Sequence, residues 1–132
     1  MDSNRTYNSL FTLGDHAAGA AVGAATAAAV RGVVCHDTDM VVAMLLGMAI
    51  GMLVHLVVGV AVSPLLGAFH VMVPGSLIGM YGGMLFAMRD TMQHAGSTSN
   101  AILVGVAFGV VVTAGVQLYD RALRAPVSSA HS

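Results

Sequence analysis

From Met40 to Met88 the chain contains no Asp, Glu, Lys or Arg. An uncharged apolar stretch of this length reads as membrane-crossing helix rather than as soluble surface. It is interrupted once, by "SPLLG" at 63–67, where Pro and Gly mark a turn without adding charge. The stretch therefore divides into spans at about 40–62 and 69–88, joined as a tight antiparallel hairpin. A third uncharged run, about 101–118, is near the lower limit of the ~17–25 residues a crossing needs. A fourth candidate span, about 16–34, carries Arg31 near its end and is mostly Ala and Gly, which gain little from contact with acyl chains. Its Gly19, Gly23 and Ala27 fall at the four-residue spacing that lets helices approach closely. Such a helix inserts by packing on its neighbours. With it the bundle has four spans, and without it three.

The expected architecture is an all-α integral membrane bundle of four (or three) helices packed through Gly and Ala. An N-terminal segment 1–13 precedes one transmembrane domain at 14–123, and a disordered tail follows at 124–132. Asp15 and Asp39 stand where N-caps are expected, just before the first and second spans. "RDTMQHAGSTSN", 89–100, reads as the one polar loop.

Charged residues make up 8% of the chain, against roughly 25% in soluble domains, which again points to the bilayer as solvent. There is no Lys and no Glu, so chemistry that needs either is excluded. A net charge of −1 gives no reason to expect nucleic acid as a partner. The single cysteine, Cys35, has no internal partner for a disulfide. The N-terminus lacks the features of a cleavable signal. The chain shows no phosphate loop, nucleophile elbow or HExxH motif, and no carboxylate pair suited to acid–base work. It reads as a non-enzyme. Arg5, Arg121 and Arg124 on one side, against Arg31 and Arg89 on the other, place both termini in the cytoplasm, with a bacterial inner membrane as the expected location.

The methionines are the most regular feature within the spans. Met40, Met44, Met48 and Met52 recur every four residues, and so do Met80, Met84, Met88 and Met92. At about 100° per residue, the first series and His55 share one sector of their helix, with Gly47 and Gly51 at its edge. Folding the hairpin about Leu66 brings to one depth residues whose numbers sum to about 132, which predicts four methionine layers about 6 Å apart. The glycines pair almost as well. Thioether sulfur is a neutral, polarizable ligand that favours Cu(I) and places no charge in lipid. Conduction needs several sites, each weak enough to release the ion.

One reading is thus a soft-metal path through Met44, Met48, Met52, Met80, Met84 and Met88, with His55 as a deep control point. Cys35, His36, Met40, Met92 and His94 would be capture ligands at one mouth. Met72 and His70 lie toward the other. This reading requires the sulfurs to meet inside a shared interior. The competing reading makes methionine a gap-filler in the hollows that glycines leave, in an accessory or scaffold subunit of a larger membrane complex. His55 itself has two readings. It is either functional, as ionisable groups at mid-membrane usually are, or a neutral imidazole hydrogen-bonded to Ser76 or Tyr81.

Repeated Met-xxx-Met together with Gly105-Val-Ala-Phe-Gly109 resembles the signature of the Ctr family of copper transporters. The resemblance implies three spans, a trimer, and Met48, Met84 or their neighbours as pore ligands. The likeness covers two short motifs. A methionine-rich outer segment is missing, an Ala/Gly helix precedes the core, and the last two helices are joined by a longer loop. Gly19/Gly23 and Gly105/Gly109 are expected to pair with another subunit, giving a homo-oligomer or a place in a larger complex.

Overall fold

The computed structural model describes the backbone of residues 2–66, 68–92 and 97–124, and within them the side chains of 9–64, 72–92 and 97–123. Gly67, the 93–96 segment with His94, the side chain of His70 and the 125–132 tail lie outside the described residues. Apart from the 34–39 connection and Ser97, the described residues are helical, with no strand among them. Helix α1 spans Asp2–Val33, α2 Met40–Leu66, α3 Ala68–Leu77, α4 Gly83–Met92 and α5 Thr98–Arg124; a wide π-turn, Ile78–Gly82, joins α3 to α4. Two helices, Met40–Pro64 and Thr98–Leu123, are long and apolar enough to cross a membrane.

Several boundaries differ from the sequence reading. Residues 2–13 continue the first helix rather than forming a separate segment. Asp15 therefore caps nothing, and its Oδ2 accepts a hydrogen bond from Gln117 Nε2 at 3.3 Å. Asp39 does cap α2, accepting from the Val41 and Val42 amides at 2.9 and 3.4 Å. Helix α2 runs through Pro64 to Leu66. The loop at 89–100 is also shorter than its composition suggests, because 89–92 and 98–100 are helical.

The bundle is two antiparallel helix pairs, each closed by glycine. In the first pair, a Cβ on Gly23 would lie 2.9 Å from the carbonyl carbon of Gly105, and one on Gly109 would lie 2.7 Å from that of Gly19. In the second, a Cβ on Gly51 would lie 2.8 Å from the carbonyl carbon of Gly79, and one on Gly83 equally close to that of Gly47. These obstacles are backbone atoms, which no rotamer change can move. Where glycine meets glycine, the two backbones come into direct contact, close enough for dispersion and Cα–H···O contacts between helices. The stripes expected to face a second copy, Gly19/Gly23 and Gly105/Gly109, are thus closed on each other within the chain.

The π-turn follows from the same seam. In an α-helix every fourth residue overshoots a full circle by about 40°, which would carry Gly75, Gly79 and Gly83 progressively off one face. A wider turn removes part of that drift and keeps Gly79 and Gly83 on the backbone of α2. Between the pairs, Ala27, Val30, Val34, Ala43, Phe86 and Ala87 form one buried cluster, with Ile50, Val104 and Phe108 against it. Phe86 and Phe108 meet edge to face, with centroids 5.7 Å apart and planes at 78°.

At the end of the bundle where α1 passes into α2, Arg31 Nη1 lies 3.5 Å from Asp90 Oδ1. The Asp90 side chain is only 9% exposed. Burial pushes its carboxyl above the usual range, while Arg31 and Arg89 pull it part of the way back.

Candidate functional site: the methionine face

The seam fixes where the methionines go. Gly47 faces Gly83 and Gly51 faces Gly79, so residues at one depth have numbers that sum to about 130 rather than 132. A shift of two residues is about 3 Å. The expected level pairs are therefore staggered, and the two series interleave. Met88 falls between Met40 and Met44, Met84 between Met44 and Met48, and Met80 between Met48 and Met52. The arrangement is a zigzag and not a stack of layers.

Each methionine also follows a seam residue by one position: Met44 after Ala43, Met48 after Gly47, Met52 after Gly51, Met80 after Gly79, Met84 after Gly83 and Met88 after Ala87. One step along a helix turns the side chain about 100°. On two antiparallel helices, equal turns from a shared seam point to the same side of the pair. The opposite side carries Ile50 and Phe86, which pack toward α1 and α5. The methionine side is therefore the outer face of the hairpin. Exposure agrees: Met44, Met48, Met84 and Met88 are half-buried, while Met40, Met52, Met80 and Met92 are 38%, 43%, 37% and 59% exposed. A single chain does not enclose the sulfurs.

The hollows that glycine leaves are filled by the opposite backbone. Gly47, Gly51 and Gly83 each face glycine main chain, with Ala87 also beside Gly47. No methionine atom is among the nearest neighbours of any seam glycine. The hollow at Gly75 and Gly79 instead receives His55. Its ring seats against Gly75, and its Cβ lies 3.1 Å from the position of a Gly79 Cβ. Its Nδ1 is buried and has no hydrogen-bond partner. Neither expected partner is used, and the Ser76 hydroxyl donates to the Val73 carbonyl at 2.9 Å. An acceptor left unpaired at mid-helix costs free energy, so His55 is a built exception to an otherwise apolar seam. Four-residue spacing from Gly51 marked this position in the sequence. The π-turn beside it left no sequence signal beyond the local density of glycine.

Of the capture ligands, His94 lies outside the described residues. Cys35 is exposed. His36 places Nδ1 3.2 Å from the Thr91 carbonyl, which ties the α1–α2 connection to the end of α4. Among the described residues, no group of three or more His, Cys, Asp or Glu side chains comes together to hold a metal ion.

Compared with known protein families, with curated proteins and with solved structures, the chain matches none of them.

Proposed function

We propose that this chain is a small multi-pass membrane protein that binds Cu(I) along its methionine face and passes it between neighbouring sulfurs. The observation that supports this most is the placement of the two methionine series. They interleave on one face of the hairpin, and glycine backbone already fills the hollows that packing methionines would occupy. The two series are offset by about 3 Å along the helix axes, so sulfurs alternate from one helix to the other with depth, which suits weak multi-site binding. Met44, Met48, Met80, Met84 and Met88 are the principal ligands. Met52 on the outer face, with His55 in the adjoining seam, forms the deep end, and Met40 and Met92 the mouth. The shared interior that this reading requires is absent from one chain, whose methionines face outward, so the reading depends on a homo-oligomer or a larger membrane complex to complete the enclosure. The location is a bacterial inner membrane with both termini cytoplasmic, in keeping with three arginines at the end where α1 begins and α5 ends.

A second reading is supported by the exposure of Met40, Met52, Met80 and Met92. On it the chain is a non-catalytic accessory subunit whose methionines pack against another membrane helix.

The two readings part on metal affinity. The full chain in neutral detergent is titrated with Cu(I) against a chromophoric chelator. The copper reading predicts competition for at least one equivalent, weakened at least tenfold in Met48→Leu/Met84→Leu, a volume-conserving change that leaves packing nearly intact. Absence of competition, or competition indifferent to the double substitution, leaves the accessory reading.

A further inference from the structure

The other end of the molecule carries a feature that copper does not use. Between the first turns of α1 and the last turns of α5 lies an open groove of about 550 Å³, lined by Ser9, Thr12, Leu13, His16 and Arg121. Among the described residues, its wall combines the Arg121 guanidinium, the His16 imidazole and two hydroxyls, with no carboxylate. The His16 ring is held in place, with Nδ1 2.8 Å from the Thr12 carbonyl. A carbonyl oxygen only accepts, so that nitrogen carries the proton. The nearby Asp15 carboxylate bonds Gln117.

The groove sits at a boundary. Arg121 falls at the end of the apolar helix Thr98–Leu123. Leu13 on α1 is 72% exposed, and Leu118 and Tyr119 on α5 are exposed as well. Tyrosine and arginine at the end of an apolar helix are interfacial residues, and an Arg fork matches phosphate oxygens better than any other side chain does.

We infer that this groove binds a phosphate group, carried on an anionic phospholipid whose acyl chains run down the exposed Leu13 and Leu118 surface. Arg121 supplies the charge, and Ser9, Thr12 and His16 shape the polar wall. The chemistry would be shared by a soluble phosphate-bearing solute, and the two sources separate by experiment.

The full chain, free of copper, is reconstituted in nanodiscs of equal parts phosphatidylcholine and phosphatidylglycerol, and the lipids that remain bound are counted by native mass spectrometry. Retained phosphatidylglycerol is expected in the wild type, with about tenfold weaker retention in Arg121→Gln and a smaller loss in His16→Asn. Arg89→Gln, at the opposite end, is expected to retain the lipid as the wild type does. Circular dichroism confirms that each variant keeps its helix content. In a parallel arm, inorganic phosphate and glycerol phosphate are titrated into the chain in neutral detergent. A saturable thermal stabilisation there, lost in Arg121→Gln, would support the phosphate site and assign it to a soluble anion. Equal retention of the two lipids, or retention of phosphatidylglycerol unchanged in Arg121→Gln with no phosphate effect, would overturn the inference. Neither readout involves the methionines, so failure here leaves the copper reading standing, and the reverse also holds.

Discussion

Gly51→Ala is expected to destabilise the chain by about 2–3 kcal/mol, although the same change in an unobstructed helix is favourable. The physical balance has two parts. Replacing glycine with alanine inside a helix gains up to about 1 kcal/mol from backbone entropy. Against that, the new methyl at position 51 would stand 2.8 Å from the carbonyl carbon of Gly79 and 3.2 Å from its Cα. The two helices must separate for it to fit. Overpacking of this kind costs about 1–3 kcal/mol and occasionally more, and here the lost close approach of the backbones adds to it. Gly32→Ala and Gly115→Ala are the internal controls, since a Cβ at either meets nothing within 4 Å. They are expected to be neutral or stabilising. Reversible unfolding in mixed micelles, followed by helical circular dichroism, reads all three. A Gly51→Ala variant as stable as Gly115→Ala would mean that the seam is not where the second helix pair is closed.

Arg31→Met is expected to cost about 3 kcal/mol at neutral pH. Removing one partner of a buried ion pair costs roughly 3–5 kcal/mol when the other charge is left uncompensated, and here Arg89 still offsets part of the Asp90 charge. The low end applies because the Arg31 side chain keeps 28% of its exposure. The pH dependence has a definite sign. Burial raises the Asp90 carboxyl above its unfolded value. Below the ordinary carboxylate range both states hold the proton, and Asp90 carries no charge to desolvate. As pH rises, the unfolded chain releases its proton first, so stability falls across the interval up to the folded value. Arg31 and Arg89 shorten that interval. Without Arg31 it extends further upward, and the variant's deficit is smallest in acid. Asp90→Asn in the Arg31→Met background is expected to recover most of the loss. A deficit independent of pH between mildly acidic and neutral conditions would contradict this assignment.

Much of the architecture was legible in the chain itself. Two charge-free runs, 40–62 and 101–118, located the helices long enough and apolar enough to cross a membrane, and Asp39 announced the start of α2, because both signals are local. The antiparallel register was nearly legible as well. The methionine series suggested one alignment and the glycines another two residues away, and sterics decide between them. Glycine backbones fit together only at their own register, whereas flexible thioethers tolerate either. The partnership of Gly19 and Gly23 with Gly105 and Gly109 was not legible, since a small-residue stripe states that a helix will come close without stating which one. Asp15 misled for a related reason. Its fit to a capping pattern is local, but the polar residues 2–13 extend the helix past it. The outward aim of the methionines depends on which side of the hairpin α1 and α5 occupy, a tertiary fact that the periodicity of one helix does not contain.

The copper account stands or falls on the sulfur atoms of that face. X-ray absorption at the copper edge, on the full chain loaded with one equivalent of Cu(I), reports the ligand atoms directly. The account predicts a shell dominated by sulfur in the wild type, with sulfur lost and copper retention reduced in Met48→Leu/Met84→Leu. A shell of nitrogen and oxygen alone, or one unchanged by that double substitution, would contradict it.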